Sequence, residues 1–356
     1  MGRPVLIMAG GTGGHIYPAL AVAQHLRGQG VPLLWLGSRQ GLETRIVPQA
    51  GIPLLTIAVS GLRGRGVASL LTAPFKLLLA VTQALFLLGR NRPAAALGMG
   101  GFASGPGGFA AWLLRIPLLL HEQNAVLGLT NRLLAPLATR LLEAFPGVFA
   151  GRPALHTGNP VRAEILDVPP PDRRAEYGER RHLLVLGGSQ GARALNEMMP
   201  RALQHLGDLG LKVWHQSGVE KLADTVARYR RSGHDARVDG YIERMEEAYA
   251  WADLVVCRAG ALTIAELSAA GVASILIPYP HAVDDHQLVN ARFLTEADAA
   301  VLLPERDLAP ESLARLVRDV MEKKDRMQRM ARAARARARA DAAERIALAC
   351  AELRCA

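Results

Sequence analysis

The chain has 356 residues, of which 50% are apolar and 21% charged, with a formal net charge of +10 and an isoelectric point near 10.1. This length accommodates two domains with substantial cores, and the composition excludes a disordered or low-complexity chain. The basic excess suits an anionic partner such as nucleic acid, a phospholipid surface or a phosphorylated substrate, while an aromatic share of 5% argues against the stacking platforms of single-strand binders.

Short apolar runs without strict alternation recur between helix-compatible stretches. They predict strands over 5–9, 33–36, 54–58, 94–97, 117–120 and 140–144 in the first half. In the second half they predict strands over 183–186, 212–216, 237–239, 254–257, 274–277 and 300–302. Runs of this kind read as parallel strands buried on both faces, and regular alternation with helices predicts a doubly wound α/β fold in each half. Asp167-Val168-Pro169-Pro170-Pro171-Asp172-Arg173-Arg174 reads as the connection between the halves, and the Ala- and Arg-rich stretch 327–356 as helix with a solvated basic face. From 67 to 89 the single charged residue is Lys76, with Arg63, Arg65, Arg90 and Arg92 outside it. That segment admits a helix packed on the sheet, an interfacial helix with basic flanks, or a membrane span, the last disfavoured by Pro74, Lys76, Thr82 and Gln83.

Two strands run directly into glycine turns: Gly10-Gly11-Thr12-Gly13-Gly14-His15 and Gly187-Gly188-Ser189-Gln190-Gly191-Ala192-Arg193. Strand, glycine turn and helix start together hold phosphate, because glycine lets the backbone approach and the first helical N–H groups point at the anion. Two such devices, one per half, predict two Rossmann-like domains facing a cleft. A third glycine loop, 98–106, follows the strand at 94–97. No Walker A loop, G-x-G-x-x-G spacing, D-x-D pair or zinc spacing is present, and Cys257, Cys350 and Cys355 are too scattered for a metal site. An odd cysteine count fits a reducing cytoplasm, and the apolar run at 5–9 is too short for a signal peptide.

His15, at a helix start, is either a general base working near neutral pH or a capping residue. His121-Glu122-Gln123-Asn124 follows a strand, where open α/β sheets bind ligands, and Glu122 is the alternative base. Glu266, early in the helix after Cys257-Arg258-Ala259-Gly260, is placed to accept hydrogen bonds from two ribose hydroxyls or to complement a helix dipole. Asp284-Asp285-His286-Gln287 and Asn290 form a polar cluster or another cap.

As a set these segments resemble the bacterial peptidoglycan N-acetylglucosaminyltransferases that make lipid II. Ser60-Gly61-Leu62-Arg63-Gly64, Gly98-Met99-Gly100-Gly101-Phe102, Gly158-Asn159-Pro160-Val161-Arg162 and Arg258-Ala259-Gly260-Ala261-Leu262-Thr263 carry the resemblance with the motifs above, in family order, with Phe102 where tyrosine is common. The resemblance implies a GT-B fold. It implies an acceptor and membrane-associating domain over 1–160, a UDP-sugar domain over 161–338, and a last helix over 339–356 returning to the first domain. It further implies inverting transfer from UDP-N-acetylglucosamine to the muramoyl C4 hydroxyl of lipid I, with no cofactor and no metal, by an enzyme peripheral to the cytoplasmic face of the bacterial inner membrane. The partners implied are the two substrates, an anionic membrane surface and proteins of cell-wall synthesis, with no nucleic acid. The site residues implied are His15 and Glu122 as catalytic groups. Thr12, Gly13, Gly14, Asn124, Arg162, Ser189, Ile242, Ala261, Leu262, Thr263, Ile264, Ala265, Glu266 and Gln287 are implied as substrate-binding residues. A UDP-N-acetylglucosamine epimerase or another GT-B transferase shares the two-domain plan, and a nucleic-acid-binding protein would account for the charge but not for three phosphate-type turns.

Overall fold

A computed structural model describes residues 2–59, 67–174, 181–282 and 285–355. The chain divides into two compact units, residues 1–162 with 339–356, and residues 163–338. The Ser60–Gly64 motif, Arg63, Arg65 and Asp284 lie outside the described residues.

The first unit holds a seven-stranded parallel sheet: β1 (Val5–Met8), β2 (Leu33–Ser38), β3 (Leu54–Ile57), β4 (Ala95–Gly98), β5 (Leu118–Glu122), β6 (Arg140–Glu143) and β7 (Leu155–His156), in the order β3-β2-β1-β4-β5-β6-β7. Alternate residues of β1 feed two cores. Val5 and Ile7 face the helices Gly13–Gly28 and Ala342–Cys355, while Leu6 and Met8 pack with Ala80, Ala84 and Leu88 of helix Val67–Asn91. Both faces are covered, so the strands are apolar throughout rather than alternating.

The second unit has six parallel strands: β8 (His182–Leu186), β9 (Lys212–Gln216), β10 (Ala236–Asp239), β11 (Leu254–Cys257), β12 (Ala273–Leu276) and β13 (Ala300–Leu302), in the order β10-β9-β8-β11-β12-β13. Leu183 and Val185 share a core with helices Arg193–Ala202, Pro310–Met321 and Lys324–Ala336. Both sheets reverse direction of growth beside their first strand, at β1/β4 and at β8/β11. In open α/β sheets that switch point, at the carboxyl ends of the strands, is where ligands sit.

Four details differ from the sequence reading. Strand β5 includes His121 and Glu122, which pair with Leu142 and Glu143, so the polar motif begins inside the sheet. The two-residue β7 has no apolar run to announce it. The proline-rich segment is no connector: it belongs to the second unit, where the Arg174 guanidinium donates to the carbonyls of Ala270 and Gly271, both at 2.6 Å. The C-terminal stretch forms two helices, Lys324–Ala336 in the second unit and Ala342–Cys355 in the first, where the latter packs on Gly13–Gly28.

Candidate active site

In the first unit, the carboxyl ends of β1, β4 and β5 converge. The Met99 amide donates to the Met8 carbonyl at 2.8 Å, and the Ser104 hydroxyl lies 2.8 Å from that carbonyl and 2.7 Å from that of Gly100. The two glycine loops therefore meet backbone to backbone, and a Cβ at Gly101 would run into the Gly10 carbonyl. Thr12 is the N-cap of helix Gly13–Gly28 and makes no side-chain cap bond. The amides of Gly13 and Gly14 sit in the first turn, where the helix offers no acceptor. His15 lies one residue on. Its Nδ1 is 2.5 Å from Oε1 of Gln123, at the end of β5, and its ring rests on Gly100, where a Cβ would stand 2.5 Å from Nδ1. Arg162 places its guanidinium 5.2 Å from the ring centre of Tyr17, on the same helix.

Glu122 has other work. Its Oε1 accepts from the Asn124 amide at 3.0 Å, and its Oε2 accepts from the Gly128 amide at 3.1 Å and from Asn131 Nδ2 at 2.9 Å. A buried carboxylate engaged on both oxygens anchors the loop that presents Asn124.

The residue missed in the sequence is Glu43. It is fully buried, its Oε2 accepts from the Gly11 amide at 2.9 Å, and its Oε1 accepts from the amide and hydroxyl of Ser38, both at 2.7 Å. Gly10, Gly37 and Gly41 surround this carboxylate so closely that a Cβ at any of them would collide with it. Gly11 thus gives its amide to an internal anion, and the N–H groups left for a ligand are those further along the turn.

In the second unit, Ser189 is exposed on the loop between β8 and helix Arg193–Ala202. A Cβ at Gly191, where φ is +69°, would run into the Ser217 carbonyl, so the loop lies directly on the turn after β9. A buried chain fixes that contact. Tyr229 Oη donates to His215 Nδ1 (2.8 Å), His215 Nε2–H to Asn196 Oδ1 (3.1 Å), and Asn196 Nδ2 to the Ser217 carbonyl (2.9 Å). Burial lowers the His215 pKa to about 3 and raises that of Tyr229, so both groups stay neutral. This network too escaped the sequence reading, although His215-Gln216-Ser217 repeats the sign that marked His121–Asn124: polar residues ending an apolar strand.

At the adjoining end of β11, Gln287 Oε1 accepts from the amides of Ala259 (3.2 Å) and Tyr279 (2.9 Å), and Asn290 Nδ2 donates to the Ala259 carbonyl (3.2 Å). Gln287 and Asn290, one turn apart on helix His286–Thr295, hold the N–H and the C=O of one residue, Ala259, and its successor Gly260 is the N-cap of helix Ala261–Ala270. Within that helix Ala261, Ile264 and Glu266 are buried, and Leu262, Thr263 and Ala265 are half-buried. Glu266 Oε2 accepts from the Tyr249 hydroxyl at 3.0 Å. The buried Ile242 turns its amide toward Gln216 Oε1 at 3.4 Å, so its contact lies within the protein. The structure thus gathers Ser189 and the 261–266 helix start at neighbouring strand ends, and in the other unit gathers Thr12, Gly13, Gly14 and His15 on one helix start, with the Arg162 guanidinium beside Tyr17 of that helix. Among the described residues no group of three or more His, Cys, Asp or Glu side chains is placed to hold a metal ion.

Residues 5–143 match the glycosyltransferase family 28 N-terminal domain, and residues 182–346 match the glycosyltransferase family 28 C-terminal domain. The chain belongs to glycosyltransferase family 28. Among its relatives is the UDP-N-acetylglucosamine--N-acetylmuramyl-(pentapeptide) pyrophosphoryl-undecaprenol N-acetylglucosamine transferase of Nitrosococcus oceani, 55% identical over 354 residues and 98% of each chain. The same-named protein of Alkalilimnicola ehrlichii is 54% identical over 99% of each. The crystal structure of Acinetobacter baumannii MurG aligns with a TM-score of 0.84 at 39% identity, covering 98% of this chain and 99% of that one. At 15% identity the glycosyltransferase VinC aligns with a TM-score of 0.68 over 99% of both chains, a likeness of fold alone. The two parallel Rossmann-like sheets are those of a GT-B glycosyltransferase of this family.

Proposed function

We propose that this family 28 enzyme transfers N-acetylglucosamine from UDP-N-acetylglucosamine to the C4 hydroxyl of the muramoyl sugar of lipid I, giving lipid II and UDP. The observation that carries this reading is identity of more than half with full-length transferases of that name, together with one phosphate-type turn at the switch point of each sheet.

In this reading the second unit carries the donor. Its diphosphate meets the amides of the turn at Ser189 and the positive end of helix Arg193–Ala202, an end worth about 0.3–2 kcal/mol to an anion. Glu266 accepts from the ribose hydroxyls, and Gln287 with Asn290 hold the turn at Ala259 that sets the 261–266 helix start in place. Ile242 offers backbone contacts to the uracil of UDP. The first unit carries the acceptor, whose diphosphate meets the first-turn amides of Gly13 and Gly14 and the Arg162 guanidinium, with Thr12 and Asn124 at the rim. His15 takes the proton from the acceptor hydroxyl as its oxygen attacks the anomeric carbon, and the bond from that carbon to UDP breaks on the opposite face, inverting it. No metal takes part.

The acceptor is lipid-linked, so the enzyme works at the membrane, peripherally on its cytoplasmic face. Helix Val67–Asn91 supports this: Phe75, Leu78 and Phe86 are 76%, 62% and 68% exposed, while Lys76 and Arg90 offer charge. Among the described residues Thr72–Asn91 is the one helix long and apolar enough to cross a bilayer, yet Ala80, Ala84 and Leu88 bury one stripe of it in the core, as suits a helix lying on a surface. Turnover of UDP-N-acetylglucosamine with a lipid I analogue, read as release of UDP and formation of the disaccharide lipid, tests the proposal. UDP release without disaccharide, or no turnover with a folded protein, would refute it.

A further inference from the structure

A general base needs a bare nitrogen, and an imidazole has two that differ only by the position of one proton. In this chain a neighbour chooses. The amide oxygen of Gln123 can only accept a hydrogen bond, and at 2.5 Å from His15 Nδ1 it requires the proton to sit there. In a neutral ring that leaves Nε2 as the basic atom. The ring has little room to turn, because Gly100 lies against its Nδ1 edge. Gln123 is itself fixed. It is 4% exposed, its backbone carbonyl accepts from Asn159 Nδ2 at 2.9 Å, and the preceding Glu122 is tied by Gly128 and Asn131. Its own Nε2 is buried and makes no hydrogen bond, so the contact to His15 is the one the side-chain amide has.

We infer that Gln123 is the positioning residue for His15, holding the imidazole as the Nδ1–H tautomer so that Nε2 takes the acceptor's proton. The arrangement has the logic of a nucleophile, a base and a third group that orients the base, with a neutral amide in the third place instead of a carboxylate. The amide selects the tautomer as a carboxylate would, but brings no charge to hold the imidazolium once the proton has arrived. The ring is then ready to pass the proton on after transfer. The inference rests on the reading of His15 as the base.

The test is 15N NMR of the full chain labelled at histidine, with the His15 signals identified by their loss in His15→Ala. The wild-type protein is expected to show a protonated Nδ1 and a bare Nε2 at this ring. Gln123→Leu, which keeps the bulk and removes the acceptor, should give a mixture of tautomers. It should also lower kcat by about tenfold or more, since a mispositioned base forfeits part of the 10²–10⁴ such groups supply, with KM for UDP-N-acetylglucosamine unchanged. Gln123→Glu retains an acceptor oxygen and should restore the Nδ1–H signature. A bare Nδ1 in the wild-type protein overturns the inference without any variant having to fold. So does an unchanged tautomer and kcat in Gln123→Leu. Failure of the underlying reading looks different: a wild-type rate in His15→Ala, with the Nδ1–H signal present in the parent, would make the contact a packing feature beside an idle ring.

Discussion

At the scale of single residues, His15 and Glu122 look interchangeable in sequence, since either type can abstract a proton. Hydrogen-bond accounting separates them: both Glu122 oxygens are engaged, whereas His15 makes one bond through Nδ1. His15→Ala should therefore lower kcat by about 10²–10⁴ while leaving the thermal transition near that of the parent, measured by initial rates with a lipid I analogue. Near-wild-type turnover would return the role to Glu122. Glu266 carries a second prediction. Its carboxylate already accepts from Tyr249, so truncation to alanine would disturb a buried hydroxyl as well as the ribose contact. Glu266→Gln preserves an acceptor for Tyr249 and loses the charge, so calorimetric UDP affinity should weaken by about 1.5–3 kcal/mol, the worth of hydrogen bonds to a charged group. Unchanged affinity would remove Glu266 from the donor site. These two residues were visible in the sequence because each stands beside a glycine turn. Glu43 was not visible. It lies in an ordinary helix start, and only the fold brings Gly10, Gly37 and Gly41 around its carboxylate.

At the scale of elements, most strands were legible because burial on both faces leaves a compact apolar run, and runs such as Leu183–Leu186 and Leu254–Cys257 have no other reading in an alternating chain. Legibility failed where polarity and strand coincide, at His121 and Glu122 in β5, and where the strand is too short to show a pattern, at β7. Helix Val67–Asn91 shows why composition alone left three readings open: one apolar sequence serves two solvents. A stripe at four-residue spacing, Ala80, Ala84 and Leu88, is small and buried, and the larger Phe75, Leu78 and Phe86 stand outward. Replacing Phe75, Leu78 and Phe86 together by serine should therefore spare folding and reduce flotation with anionic vesicles. Flotation of the parent should also fall as salt rises, because each basic residue at an anionic surface contributes about 1 kcal/mol that salt screens. Equal flotation of parent and variant would assign the exposed face to something other than lipid.

At the scale of the whole molecule, each unit carries one fully buried histidine that the fold keeps neutral, and the consequence is a dependence of stability on pH. Burial lowers His121 to about 4 in the first unit and His215 to about 3 in the second. Both are about 6.5 in an unfolded chain. Above pH 6.5 neither state is protonated and stability is flat. As pH falls below 6.5 the unfolded chain binds protons that the native rings refuse. Stability then drops by about 1.4 kcal/mol per pH unit for each histidine until the folded pKa is reached. The exposed ion pairs contribute in a different window. Asp208 and Asp319 are lowered by Arg318 and Lys323 respectively, and their stabilisation is lost only as pH falls below the ordinary carboxylate range. Between pH 6.5 and 5 the histidines therefore dominate, and the second unit should lose about 2 kcal/mol from His215 alone. His215→Gln is the discriminating variant, because an amide can accept from Tyr229 and donate to Asn196 as the neutral ring does, yet takes no proton. Urea unfolding at pH 7, 6 and 5 should show a flatter slope for the second unit in that variant and an unaltered slope for the first. Equal slopes in parent and variant would mean that the folded ring takes up its proton as readily as the unfolded one, and that burial does not hold His215 neutral.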